Sequence, residues 1–426
     1  MMEKIRSFIE NSPTPFHAVS TAARRLEEAG FAFLGEEEGW KLTPGGKYYT
    51  TRNGSSLIAF VAGGEGLNLT ASHSDSPTFR IKEHFQSEKE GCLLLNTEPY
   101  GGMIAASWMD RPLSAAGRAL VKTETGLESR LVDLREPVAI LASLAIHMDR
   151  EVNRKNEIDF SRHTQPIFAL PGADFREAVA RAAGVEPGAL LGADLSLYEP
   201  TAPYEQGGLL IGPRLDDLAC AATCLEAFLA QGGEGAVYAL FDNEEVGSLT
   251  RQGASSTFLA DVLARLFEAQ GLTAEGRGRV LAQSRLLSCD NAHAIHPNFP
   301  QFADPSHTVR LGGGVALKYN AAQKYTTDAL SASLFRLCCE RAGVRVQPYA
   351  NRADLPGGST LGNLSNAQVS LLAADIGIPQ LSMHAAVETA AVSDVMDFER
   401  AAGAFYASRL VKSGDRYDLE WERTTR

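Results

Sequence analysis

The spacing of apolar positions changes along the chain, and each change predicts a different kind of structure. The first 30 residues carry apolar side chains at helical spacing, interrupted by the stretch Ser12-Pro13-Thr14-Pro15. Three short runs rich in apolar and β-branched residues follow at 47–51, 56–62 and 67–71, with glycine-rich turns between them. This order predicts two helices and then a set of strands.

The middle of the chain, from about residue 85 to residue 204, has a different pattern. Strands are expected at 118–122, 126–133 and 191–197, and helices at 137–150 and 171–184. Because this block interrupts the pattern on either side, it is predicted to be a separate, inserted domain at 86–205. The remaining segments, 1–85 and 206–426, would then form one larger domain.

From residue 209 onward, predicted strands and helices alternate. Buried strands are expected at 235–242 and 284–290, and helices at 216–231, 258–270 and 327–342, with 361–375 mostly helical. This alternation is typical of a largely parallel sheet whose two faces are covered by helices. The predicted fold class is therefore α/β, a mostly parallel sheet flanked by helices, with an inserted β-rich domain.

Composition excludes several classes of protein. The 426 residues include 40 basic and 52 acidic side chains, a net charge of −12, so neither nucleic acid nor a membrane is an expected partner. No apolar run approaches the roughly 18–20 residues of a membrane helix, and the amphipathic N-terminus does not resemble a signal peptide. Six cysteines are too few for a disulfide framework, which favours a reducing, cytoplasmic location.

Polar side chains are concentrated after predicted strands, where open α/β sheets bind ligands. Five stretches stand out, at 71–77, 212–218, 240–248, 287–297 and 379–388. In the first, the spacing His73-x-Asp75 places an imidazole and a carboxylate on one side of an extended segment. Structural alternatives stay open for four of these stretches: a helix cap at Asp216, a solvated loop around Glu244, a fortuitous loop around Asp290, and a core histidine at position 384.

Taken together, these stretches supply a set of carboxylates and imidazoles without a thiolate: His73, Asp216, Glu245, Asp290 and His384. Such ligands suit Zn²⁺, with Mn²⁺ or Co²⁺ as alternatives. Five ligands with one bridging carboxylate suffice for two divalent metal ions, which can activate water and polarise a carbonyl group. Glu244 is then left beside a ligand, where a general base is needed.

The same stretches, in this order, resemble a known family. The motifs S-H-S-D-S-P, G-P-R-L-D-D-L, D-N-E-E-V-G-S, S-C-D-N-A-H-A-I-H-P-N and S-M-H-A-A-V-E are similar to those of the aspartyl aminopeptidases, dinuclear zinc exopeptidases that include yeast vacuolar aminopeptidase I. The resemblance extends to about residue 405. It implies a metalloaminopeptidase in which His73 and Asp290 bind one metal, Glu245 and His384 bind the other, and Asp216 bridges both.

The resemblance also implies roles for other residues. Asp75 would orient His73, and Glu244 would be the general base. Lys318, in the stretch that resembles the family's substrate segment, would meet an acidic side chain or a carbonyl group, and Tyr325 would hydrogen-bond the reacting carbonyl. The remaining implied substrate contacts are His293 and, in the Gly-rich stretch 357–360, Gly358 and Ser359.

In the family the inserted domain forms dimers, dimers assemble into a tetrahedral dodecamer, and a histidine of that domain completes the neighbouring active site. His147 matches this histidine, although a histidine on a helix surface is the alternative. Two departures, the compact stretch 153–165 and Asn291 in place of a methionine, concern specificity more than chemistry.

The peptide substrates are expected to begin with Asp or Glu, and a preference for neutral N-terminal residues is the alternative. Two further readings stay open: a non-catalytic assembly or binding protein that keeps the fold, and a related hydrolase of N-acyl or N-carbamoyl groups.

Overall fold

The computed structural model describes residues 1–155, 157–355 and 357–421. Within these ranges the α-helices are α1 Met2–Glu10, α2 Pro15–Glu28, α3 Phe175–Ala182, α4 Leu215–Gln231, α5 Phe258–Ala269, α6 Ala274–Ala282, α7 Ala329–Ala342, α8 Leu361–Gln368 and α9 Val392–Tyr406. None of these described helices is both long and apolar enough to cross a bilayer.

The strands fall into four sheets, and their bounds in chain order are β1 Ala32–Phe33, β2 Lys47–Arg52, β3 Ser56–Val61, β4 Asn68–His73, β5 Thr78–Lys89, β6 Cys92–Tyr100, β7 Pro112–Lys122, β8 Leu127–Asp133, β9 Ala139–Ile140, β10 Ile167–Ala169, β11 Leu190–Tyr198, β12 Tyr204–Gln206, β13 Leu209–Gly212, β14 Ala236–Phe241, β15 Arg285–Cys289, β16 Ala292–His293, β17 Val315–Tyr319, β18 Val346–Ala350, β19 Leu372–Gly377, β20 Pro379–Leu381, β21 Glu388–Ala391, β22 Ser408–Ser413 and β23 Arg416–Trp421.

The largest sheet has nine strands in the order β1-β2-β3-β14-β4-β15-β19-β17-β18. Its central strands β14, β4, β15 and β19 run parallel to one another. One core cluster packs α1, α2, α4, α7 and α9 on one face, and a second packs α5, α6 and α8 on the other. Every residue of β14 and β15 is buried, because both faces are covered. The predicted α/β class is confirmed.

A second sheet of seven strands lies between β4 and β12 in the sequence. Its order is β11-β5-β6-β10-β9-β7-β8, and an additional pairing of β11 with β7 closes six of these strands into a ring. All of these pairs are antiparallel, and the sheet has its own core around Phe79, Trp108 and Phe175. The β-rich insertion is therefore present, while the predicted domain limits at 85/86 and 205/206 stay a prediction.

Two segments differ from the helices expected of them. Residues 137–150 form the short strand β9 followed by turns, because β9 pairs with both β7 and β10. Residues 361–375 divide into α8 and the central strand β19, which pairs with β15 and β17. In both cases hydrogen bonds to neighbouring strands overrode an apolar spacing that also suits a helix.

The nine-stranded sheet positions the polar stretches at one edge. His73 is the last residue of β4, Asp290 follows β15, and Glu244–Val246 form a 3₁₀ turn after β14. Asp216 lies at the start of α4, and His384 lies between β20 and β21 of a third sheet, ordered β12-β13-β21-β20-β16. Parallel strands end at the same sheet edge, so these side chains converge.

Candidate metal centre

The structure brings the five predicted metal ligands into one cluster. Nε2 of His73 lies 3.4 Å from Oδ1 of Asp216 and 3.9 Å from Oδ1 of Asp290. On the other side, Nε2 of His384 lies 3.5 Å from Oδ2 of Asp216 and 3.3 Å from Oε2 of Glu245. Asp216 therefore presents one carboxylate oxygen to each imidazole.

The geometry of this cluster fits metal ions. Two groups of three side chains, His73 with Asp216 and Asp290, and Asp216 with Glu245 and His384, each offer ligand atoms within 4.8 Å of one another. Among the described residues, Oδ1 of Asp216 and Oε1 of Glu245 are buried without a hydrogen-bond partner. Buried unpartnered carboxylate oxygens are costly, and a cation would satisfy them. Oxygen and imidazole donors without sulfur suit Zn²⁺, Mn²⁺ or Co²⁺.

The electrostatics of the cluster also favour positive charge. Burial, reinforced by Asp216, raises the pKa of Glu245 well above its usual range. Burial disfavours the protonated form of His384, but Asp216 and Glu245 outweigh it and raise the pKa of this imidazole to about 10. The pKa of His73 is likewise raised, because Asp216, Asp290 and Asp75 outweigh burial. Neighbouring carboxylates contribute to all three pKa shifts, and divalent cations would neutralise this buried negative charge.

Asp75 holds the turn that carries two glutamates. Its carboxylate accepts hydrogen bonds from the backbone N–H groups of Glu244 and Glu245, each at 3.1 Å, and from the Tyr100 hydroxyl at 2.6 Å. Oδ1 of Asp75 lies 3.4 Å from Nδ1 of His73, while the nearer contact of that nitrogen, at 2.9 Å, is the Asp75 carbonyl. Burial opposes ionisation of Asp75, but His73 and Tyr100 outweigh it and lower its pKa.

Glu388 is a buried residue of the site to which the sequence assigned no role. Its Oε2 accepts a hydrogen bond from the backbone N–H of Asp216 at 2.9 Å, and its Oε1 accepts one from the backbone N–H of His384 at 2.7 Å. Burial, with Asp216 nearby, raises its pKa to about 8. Glu388 ends the fifth polar stretch, but the partner that reveals its role, Asp216, is 172 residues away.

Glu244 lies at the cluster but outside the two groups centred on Asp216. Its carboxylate falls within 4.8 Å of ligand atoms of His73 and Glu245. Burial raises its pKa to about 8, partly offset by His73. A carboxylate with a pKa near the working pH can both accept and release a proton.

A cavity of about 480 Å³ opens above the cluster. Lys318 is buried in its wall, with Nζ 3.2 Å from Oδ2 of Asp290 and 5.4 Å from the centre of the Tyr325 ring. Burial opposes the charge on Lys318, but Asp290 outweighs it and raises the lysine pKa, so the side chain stays protonated. The other predicted substrate contacts that line the cavity are Tyr325, His293, Gly358 and Ser359.

Two predicted site residues are absent from the cavity wall: Asp75, which is buried behind His73, and His147, which lies away from the metal-ligand cluster. His147 occupies an exposed turn of the insertion. Its apolar neighbours Leu144, Ile146 and Met148 are 61%, 46% and 77% exposed. The expected contribution of His147 to a neighbouring subunit's site stays a prediction.

Comparison with known proteins finds one family along most of the chain. Residues 8–406 match the family described as Aminopeptidase I zinc metalloprotease (M18). A probable M18 family aminopeptidase 2 of Pseudomonas aeruginosa is 40% identical over 418 residues, which cover 94% of this chain and 96% of the relative. A protein of the same description from Clostridium novyi is 39% identical over 414 residues, covering 92% and 95%.

Solved structures give the same picture at the level of the fold. A chain in the cryo-EM structure of the Ape4 and Nbr1 complex superposes with a TM-score of 0.91 at 32% identity, covering 94% of this chain and 84% of that one. The crystal structure of prApe1 gives 0.89 at 29% identity, with 95% and 94% covered. The mApe1 dodecamer of S. cerevisiae gives 0.83 at 29% identity, with 95% of both chains covered.

Proposed function

The chain belongs to the Aminopeptidase I zinc metalloprotease (M18) family and is a metalloaminopeptidase, and from this we propose that it removes N-terminal residues from peptides at a centre for two divalent ions, zinc in the first place, with Mn²⁺ or Co²⁺ as alternatives. The observation that carries the dinuclear proposal is Asp216, whose two oxygens face two separate groups of ligand atoms. One ion would be held by His73 and Asp290, the other by Glu245 and His384, and both by Asp216.

The protein's own side chains then divide the work. When bound, the metal ions would activate water and polarise the scissile carbonyl. Glu244 would take a proton from the attacking water and deliver it to the leaving amine, a role that its position beside His73 and Glu245 supports. The Tyr325 hydroxyl would donate a hydrogen bond to the reacting carbonyl oxygen, and Asp75 would keep His73 and the Glu244 turn in place.

The role of Glu244 is tested by replacing it with glutamine. Glu244→Gln should keep two metal equivalents by elemental analysis, yet lose about a thousandfold or more in kcat on aspartyl peptides, because general acid–base catalysis contributes roughly 10²–10⁴-fold. His384→Ala is the matched control, since it should lose one metal equivalent. A Glu244→Gln enzyme with near wild-type turnover would contradict the role of Glu244 as general base.

We further propose a preference for Asp or Glu at the peptide N-terminus, because Lys318 is a buried, protonated side chain in the cavity wall. His293, Gly358 and Ser359 would line the rest of the subsite. The alternative, an aminopeptidase for neutral N-terminal residues, would leave Lys318 as a partner of Asp290 alone.

Lys318→Met separates these two possibilities. Aspartyl and glutamyl peptides should lose activity selectively, while leucyl peptides keep theirs, in a kcat/KM panel run beside the wild type. An equal loss on leucyl peptides would instead show that Lys318 acts through Asp290. N-acylated peptides belong in the same panel, since hydrolysis of a substrate with a blocked N-terminus would favour the alternative that the protein is an N-acyl hydrolase.

For the assembly, we propose homodimers through the inserted sheet that build a tetrahedral dodecamer, with His147 completing a neighbour's site. The exposed side chains of Leu144, Ile146 and Met148 support a contact there, since a cluster of exposed apolar side chains often marks an interface. Sedimentation of the purified chain as a monomer would contradict this.

We also propose a reducing, cytoplasmic location for the protein. The six described cysteines are free thiols, which supports this location.

A further inference from the structure

A second cavity, of about 580 Å³, adjoins the cavity over the metal centre. His293, Tyr349 and Gly358 line both spaces. Pockets of roughly 300–1,000 Å³ hold ligands of drug size. The second cavity therefore has room for a substantial part of a substrate, and it begins where the metal site ends.

The wall of this second cavity is rich in aromatic and aliphatic groups. Phe299 and Phe302 belong to the loop after β16 and are 53% and 57% exposed. Val309 and Tyr349 contribute buried apolar surface to the same space. Two large aromatic rings left half in water would gain free energy from an apolar ligand.

The Asp304 and Arg352 side chains of the wall already have polar partners. Nδ1 of His307 lies 3.2 Å from Oδ1 of Asp304. The Arg352 guanidinium donates to Asp354 at 2.6 Å and lies 5.7 Å from the centre of the Phe302 ring. A neutral, apolar group therefore suits this cavity better than a charged one.

We propose that this cavity binds the residues that follow the scissile bond and favours aromatic side chains among them, an inference that rests on the proposed aminopeptidase function. Lys318, the proposed receptor of the N-terminal side chain, lines the metal site but not the second cavity. The N-terminal residue and the rest of the peptide are thus held in different spaces. With its N-terminus fixed at the metal centre, the peptide continues past His293 and Tyr349 into the aromatic space.

The test compares two aspartyl tetrapeptides, Asp-Ala-Ala-Ala and Asp-Phe-Phe-Ala, with the metal-loaded enzyme. The wild type should hydrolyse the phenylalanine peptide with roughly tenfold higher kcat/KM, because a well-filled apolar pocket commonly discriminates by that much. The double variant Phe299→Ala/Phe302→Ala should lose this preference, so that the two peptides are hydrolysed with similar kcat/KM. Phe33→Ala, at a phenylalanine 54% exposed on β1 and outside both cavities, is the control and should keep the preference.

Each other outcome overturns the inference in its own way. A preference that survives in the double variant would show that the cavity does not hold these residues. If the double variant keeps its preference for Asp-Phe-Phe-Ala but loses the activity that the wild type has on Phe-Ala-Ala-Ala, the cavity would be assigned to the N-terminal side chain. An altered sedimentation coefficient with an unchanged preference would assign it to a contact between copies of the chain. A wild type inactive on every peptide would refute the aminopeptidase proposal itself, and with it this one.

Discussion

Glu388 fixes two of the proposed metal ligands through their backbones. Its carboxylate accepts N–H groups from Asp216 on α4 and from His384 between β20 and β21. The side chains of those two residues approach each other to 3.5 Å. One buried carboxylate therefore sets the relative position of two elements whose side chains must meet.

We expect Glu388→Gln to weaken zinc binding by about 10–100-fold, the usual cost of losing an outer partner of a metal ligand. The amide offers one acceptor oxygen, so its NH₂ group would face one of the two backbone N–H donors. Competition with a fluorescent chelator measures the affinity directly. Glu226→Gln is a matched control, since Glu226 is also a buried glutamate but pairs with Lys4 instead. Zinc affinity equal to that of the wild type would show that Glu388 is dispensable for positioning.

At this scale the sequence predicted which polar side chains come together, but not the residue that positions them. The family resemblance, derived from five motifs, is confirmed by the match over residues 8–406. His73 and Asp290 could be found because they lie at the ends of recognisable strands. Glu388 could not, because its role depends on backbone groups that only the folded chain brings near. The individual catalytic roles stay predictions.

Among the elements, β7 and β11 of the inserted sheet approach each other unusually closely at Gly117. A β-carbon at this position would lie 1.9 Å from the carbonyl oxygen of Asp194 on β11. The pairing of these two strands also closes the ring of six strands. A side chain at Gly117 would therefore push apart the strands on which the ring depends.

Gly117→Ala should destabilise the inserted sheet by about 1–3 kcal/mol, the usual cost of overpacking. The change should appear as a lower midpoint in thermal unfolding followed by circular dichroism. Gly126→Ala, in the turn before β8, is the control, because a β-carbon there meets nothing within 4 Å. Equal midpoints for the two variants would show that the sheet tolerates the separation.

Elements whose environment is uniform were the easiest to predict. Strand β14 is apolar throughout and is buried on both faces, so its sequence and surroundings agree. Residues 137–150 and 361–375 were misassigned, because their apolar positions suit more than one period. In β19 the strand conformation is selected over the helix by pairing with β15 and β17, and neither partner is adjacent in sequence.

On the scale of the whole molecule, the N-terminal helix α2 joins the two large sheets. The Arg118 guanidinium, on β7, lies 4.5 Å from the centre of the Phe16 ring. The next residue, His17, accepts or donates a hydrogen bond with Thr14 at 2.8 Å. Burial, together with Arg214 and Arg135, outweighs Asp133 and lowers the pKa of His17 to about 4.

The lowered pKa predicts how stability depends on pH. Between its unfolded pKa of about 6.5 and its folded pKa of about 4, the unfolded chain binds a proton at His17 that the folded chain does not. The folded state should therefore lose about 2 kcal/mol at this residue as the pH falls from 7.5 to 5.0. His17→Gln should flatten that part of the profile in urea unfolding, whereas His84→Gln, at an exposed histidine, should not. Parallel profiles for wild type and His17→Gln would contradict the assignment.

The chain segments that precede and follow the inserted sheet are joined by hydrogen bonds, between the end of β4 and the start of α4. The backbone N–H of His73 donates to Asp217 at 3.1 Å, and the Ser76 hydroxyl donates to the Asp216 carbonyl at 2.7 Å. These hydrogen bonds close the chain between them into one long loop, and the conformational entropy of closing that loop is lost once. Doubling the length of the enclosed chain would cost only about 0.6 kcal/mol more. The insertion can therefore lengthen, shorten or exchange its surface during evolution while the residues that close the loop keep their geometry.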